Sequence, residues 1–160
     1  MLVQFFKHGK FHLDIVTMDE GEQFLFDQRA SSASFGVFYL SGQTTMIEGA
    51  VVGRVFDTVN GWRSNGVDGW SNDDVGHSEM LLEAGTGGVK WICLSDNGTG
   101  SREIQHIPVN GSATIPAGWG FVIATGSVDF EGKTGKQFQY AAPRSNDLVV
   151  TGTADLLLVR

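Results

Sequence analysis

The sequence predicts an all-β protein: a single antiparallel β-sandwich or jelly roll spanning residues 1–160, with one long Trp/Asn/Gly-rich loop. Composition carries the first part of the argument. Glycine at 22 of 160 residues exceeds the roughly 7% of an average domain, and the charged fraction of 18% lies under the usual ~25%, a balance that favours turn-rich strands over helices. A hydrophobic fraction of 41% supplies a core for a chain of one-domain size and excludes disorder as the main state. Pattern carries the rest, because short apolar or alternating runs rich in β-branched and aromatic residues recur between Gly and Asn throughout.

Taken along the chain, the first half offers strands at Phe11 to Thr17, Gln23 to Asp27, Phe35 to Leu40 and Ala50 to Phe56. The pattern resumes at Glu79 to Glu83, where good helix formers (Met80, Leu81, Leu82) compete with the strand reading, and continues at Val89 to Leu94. Between those two runs, Gly85-Thr86-Gly87-Gly88-Val89-Lys90 reads as a hairpin turn, since no Gly-Lys-Ser/Thr ending and no helix follow to make it a phosphate loop. Further strands are predicted at Glu103 to Val109, Ser112 to Ile115, Gly120 to Ala124, Ser127 to Phe130, Lys136 to Tyr140, Leu148 to Thr151 and Asp155 to Val159. Asn-Gly pairs beginning at 60, 65, 97 and 110 supply positive-φ residues, and several of them are predicted to be loop tips. Glu131-Gly132-Lys133-Thr134 ends like a phosphate loop, yet the chain returns at once to a strand pattern.

Residues 57–76 differ in kind, being polar, rich in Gly, Asn and Asp, and carrying Gly61-Trp62 and Gly69-Trp70. A loop of this length inside a domain is functional or docked, because an exposed tryptophan leaves a large apolar body in water. Trp62 and Trp70, with Asp68 and Asn72, are therefore candidate binding or interface residues, and Trp119 of a third Gly-Trp pair joins them. Two chemistries suit them: a sugar platform, where an aromatic face meets a pyranose ring and amides fix its hydroxyls, or a subunit contact. Asp68, Asn72, Asp73 and Asp74 are dense in oxygen ligands, but their spacing fits no EF-hand and Asx-type turns account for them.

A net charge of −7 opposes binding to phosphate backbones or anionic lipid, so neither nucleic acid nor membrane is expected as a partner. The lone Cys93 lies in an apolar run and reads as a buried structural thiol, with no partner for a disulfide or a zinc cluster. The N-terminal run Met1 to His8 is too short for a signal peptide, so cytoplasmic synthesis is the default. His8, His12, His77 and His106 are dispersed, and His77-Ser78-Glu79 has ligand spacing but no downstream cysteine pair to complete a deaminase site. Nucleophile motifs are missing as well. No catalytic residue, metal or cofactor is expected.

The run Ser112-Ala113-Thr114-Ile115-Pro116-Ala117-Gly118, followed by Phe121 to Gly126, Val128 to Gly132 and Asp155 to Val159, resembles the cupin superfamily of double-sheet jelly rolls. In a Pro-x-Gly turn proline holds φ as the strand ends and glycine permits the reversal. Metal-dependent members carry two His and a Glu after a first glycine and another His after Pro-x-Gly. Counted from Gly21 and Pro116, those histidine positions fall on Asp27, Arg29 and Phe121. The resemblance thus implies the scaffold without its metal chemistry. Small size, an acidic balance and aromatic, glycine-rich wording also resemble small structural or accessory proteins of tailed bacteriophages, such as capsid decoration or baseplate-associated proteins. The leading expectation is a non-enzymatic structural protein, forming a trimer or larger homo-oligomer, meeting other structural proteins, and located in the virion if phage-encoded. Two others compete: a metal-independent cupin-type enzyme acting on a small molecule such as a sugar nucleotide through His12, His106 or Tyr39, and a carbohydrate-binding module using the tryptophans.

Overall fold

Twelve β-strands account for the regular structure in the computed structural model, which describes residues 1–9, 11–27, 35–49, 52–59, 62–64, 79–96 and 103–160, with backbone alone at 26, 27, 35, 62–64, 79 and 96. They fall into two compact units, Met1–Ser101 and Arg102–Arg160. All strand pairings are antiparallel.

The first unit holds β1 (Leu2–His8), β2 (Phe11–Met18), β3 (Gln23–Asp27), β4 (Phe35–Glu48), β5 (Val55–Asp57), β6 (Trp62–Ser64) and β7 (Glu79–Asp96). The sheet runs β1-β2-β7-β4-β5, with β3 also on β7 and β6 also on β4. Strand β2 shows why these residues extend: Phe11, Leu13 and Ile15 alternate with the less buried His12 and Asp14, the period of a pleated strand. The His12 side continues into Val16 and Met18, which join a core with Tyr39, Met46, Phe56, Met80 and Trp91. Burying a side chain such as Phe56 contributes about 1.5–3 kcal/mol. Phe24 meets Trp91 edge-on at 5.3 Å between ring centroids, and Tyr39 leans on the same indole at 5.6 Å.

Several expectations are corrected here. Gly85 to Lys90 is no hairpin but the middle of β7, which pairs with β3 through Glu79–Glu83 and with β2 through Val89–Asp96. Gly87 and Gly88 have φ of 82° and 81°. They bend one strand so that both halves stay on β4 instead of folding onto each other. Strand β1 was not foreseen, since its residues read only as a short apolar run. Of the strand expected at Ala50 to Phe56, Ala50 and Val51 lie outside the described residues and β5 begins at Val55, because Gly53 and Arg54 close a turn in which Met46 accepts from the Gly53 amide and donates to the Arg54 carbonyl, both at 2.8 Å. Within the expected loop at 57–76, residues 62–64 form β6 against Gly36–Phe38. A strong partner strand lends even this short polar segment its ladder.

The second unit holds β8 (Ile104–Ile115), β9 (Gly120–Phe130), β10 (Lys133–Lys136), β11 (Tyr140–Ala141) and β12 (Leu148–Val159), in the order β10-β9-β12-β8 with β11 also on β9. The Pro116-x-Gly118 turn stands between β8 and β9 as expected, with Gly118 at φ 86° and the Trp119 amide donating to the Pro116 carbonyl at 3.2 Å. At Gly132 the sequence predicts no turn, yet β9 and β10 make a tight hairpin there, with Glu131 and Gly132 both at positive φ. Asn110-Gly111, expected at a loop tip, instead lies inside β8 opposite Gly152 and Thr153. The strand expected at Lys136 to Tyr140 is interrupted after Lys136, where the Gln139 amide and side chain both bond back to that residue. The core packs Phe121, Ile123, Val128, Val150, Leu156 and Leu158.

Candidate functional site

On the first sheet, strand period and register bring Phe5, His12, Asp14 and Cys93 to one face. Asp14 stands opposite Phe5 of β1 and Cys93 of β7, and His12 meets the Phe5 ring edge-on at 4.9 Å. Burial raises the Asp14 carboxyl above its usual range, with the nearby His12 pulling it back down. The Cys93 thiol is pushed far up by its own burial and, secondarily, by the Asp14 charge. Its Sγ reaches only the Leu94 carbonyl at 3.9 Å. It is the structural thiol the sequence predicts, with no nucleophilic character at neutral pH.

On the second sheet, three adjacent strands hold a polar row. The Thr125 hydroxyl donates to Asp155 Oδ2 at 2.7 Å, and the Asp155 amide donates to that same hydroxyl at 3.1 Å. His106 Nε2 lies 2.9 Å from Asp155 Oδ1, and because a carboxylate only accepts, Nε2 carries the proton. The His106 and Asp155 side chains are 23% and 32% exposed. Asp155 faces Thr125 across β9, and His106 faces Leu157 across β8. The three groups thus line the face opposite the Leu156 and Leu158 core. A carboxylate-oriented imidazole of this kind can move a proton.

The remaining candidates fall as follows. Tyr39 is buried, its hydroxyl 2.6 Å from Thr44 Oγ1, so it serves packing and does not present a reactive group. Trp119 is 6% exposed in the second core, under the Arg160 guanidinium at 4.5 Å. That corrects its reading as an open aromatic platform: the Pro116-x-Gly118 turn folds its ring inward. Phe121, at the histidine position after that turn, is buried and meets Phe130 edge-on at 5.4 Å. Trp62 contributes its backbone to β6. Its side chain, with Trp70, Asp68, Asn72, Asp73, Asp74, His77, Arg29 and the side chain of Asp27, lies outside the described residues. Among the described residues no three His, Cys, Asp or Glu side chains converge as a metal would require. The sequence reading missed Asp14, the Asp155 partner of His106 and the Thr125 partner of Asp155. The available signal was Asp155 as the one charge leading the apolar run to Val159.

No protein-family profile and no curated protein sequence match the chain. Solved structures do. HutD from Pseudomonas fluorescens SBW25 aligns over 94% of this chain and 78% of its own, at 14% identity and a TM-score of 0.66. A cupin 2 conserved barrel domain protein from Leptotrichia buccalis aligns over 99% and 87%, at 11% identity and TM-score 0.56. The mannose 6-phosphate isomerase of Bacillus subtilis aligns over 94% and 75%, at 9% identity and TM-score 0.56. At these identities the likeness establishes the fold, a cupin-type antiparallel β architecture, as the Pro-x-Gly resemblance implied.

Proposed function

We propose that the chain is a non-enzymatic assembly protein, a cupin-type scaffold that associates with copies of itself. One observation carries the reading: Phe121 occupies, fully packed, the position where the resemblance would place a histidine ligand. Scaffold then outlasts chemistry, since function resides in a site and not in a fold. Its partners are its own copies and other structural proteins, and the acidic balance turns it away from nucleic acid and anionic membranes. A virion component, such as a capsid decoration or baseplate-associated protein, is the setting that its compact, glycine-rich and aromatic composition fits. Native molar mass by size-exclusion chromatography with multi-angle light scattering tests this. An assembly of defined copy number is the expected result, and a monomer at every concentration overturns it.

A second reading draws on the Thr125, Asp155 and His106 row: a metal-independent enzyme in which His106 moves a proton on a small molecule. The same fold serves an isomerase in B. subtilis. A panel of sugar nucleotides and sugar phosphates, incubated with the native chain and with His106→Gln, decides it. Turnover by the native chain that the folded variant lacks establishes this second reading, and absence of turnover across the panel removes it.

A further inference from the structure

Strand β1 leaves the first sheet open at one side. It pairs with β2 in an unbroken antiparallel register, and among the described residues no strand takes its other edge. The N–H and C=O groups along such an edge are a template for another strand, and edges that must stay single carry charges, proline or a bulge. The seven residues of β1 are Leu2-Val3-Gln4-Phe5-Phe6-Lys7-His8, with a single lysine near the end and no proline. Leu2 and Phe6 project to one face and Val3 and Phe5 to the other. All four are 41–59% exposed.

We propose that β1 is a dimerisation strand, two copies of this chain pairing β1 with β1 antiparallel about a two-fold axis through Gln4. The inference rests on the assembly reading and names its contact. Alternate residues of a strand send their hydrogen-bonding groups to the same edge, so a strand pairs with its own copy only about an axis through a residue. With the axis at Gln4, Leu2 lies opposite Phe6 and Val3 opposite Phe5, an aliphatic side chain against an aromatic ring each time, the kind of cross-strand pair that stabilises a ladder. An axis at Phe5 would instead set Val3 against Lys7 and Leu2 against His8. Lys7 falls opposite Met1, whose ammonium is 2.6 Å from Glu22, and so brings a second cation to that carboxylate. Charge selects the same surface. A chain of net charge −7 meets its copy best where acids are absent, and Leu2 to His8 contains none.

The test combines light scattering with cysteine cross-linking in the full chain. The native chain should have a molar mass that is a multiple of two chains. Gln4→Glu sets two carboxylates against each other at the axis and should raise the dissociation constant roughly tenfold or more, with circular dichroism unchanged. Gln4→Cys, an exposed change that the fold tolerates, should form an intermolecular disulfide on mild oxidation. Lys7→Cys should not, since the axis separates its two copies by about 20 Å of strand. A native monomer overturns the assembly reading and this inference together. An oligomer that Gln4→Glu leaves intact and Gln4→Cys fails to cross-link overturns the β1 contact alone.

Discussion

Asp14 lies half-buried, and burial holds its carboxyl above the ordinary range, partly offset by His12. The folded state therefore binds that proton more tightly than the unfolded chain. The group favours folding at pH below the ordinary carboxyl range and opposes it once the pH has climbed through the raised value. Asp14→Asn should accordingly raise the melting temperature by a few degrees at neutral pH, with the gain disappearing in acid. A calorimetric scan showing loss at neutral pH would contradict this. Cys93 gives a second expectation: burial pushes its thiol up, so a thiol reagent should fail to modify the native chain and react promptly after denaturation. Cys93 was legible in the sequence because its apolar neighbours are adjacent in the chain. The row of His106, Asp155 and Thr125 was not, since Asp155 lies 49 positions from His106 and 30 from Thr125, and no local spacing records such a meeting.

Among the elements, β7 departs most from what its sequence suggests. Two runs of strand pattern with glycines between them read as a hairpin, and a hairpin and a bent strand use the same residues. The outcome depends on β4, which offers one continuous edge to both halves. Gly88 makes the bend possible, with φ at +81° and a side-chain position that lies only 2.5 Å from the Met18 carbonyl. Gly88→Ala should cost about 2–3 kcal/mol, a fall of roughly 5–10 °C in melting temperature. Thermal unfolding followed by circular dichroism checks it, and an unshifted midpoint would mean that the backbone relaxes around the new methyl. Strand β1 shows the opposite failure. Its exposed Leu2, Val3, Phe5 and Phe6 lack the alternation that marks a half-buried strand, because no buried face imposes it.

For the whole molecule, the cupin-type fold meets a net charge of −7. Copies that approach one another repel, and salt screens that repulsion over a Debye length of about 8 Å at physiological ionic strength. Association through the acid-free β1 should therefore tighten as salt is added, while an interface built on opposite charges would loosen. Sedimentation across a salt series distinguishes the two.

The all-β class, the Pro116-x-Gly118 turn and the buried state of Cys93 could be read from residues alone, because each reflects a preference expressed within a few neighbouring positions. Partner choice could not. Whether Gly85 to Lys90 turns or bends, whether Trp119 faces water or Arg160, and whether His106 finds a carboxylate all depend on strand register. A slip of one residue there sends every side chain to the other face, and register is settled by contacts between segments far apart in the chain.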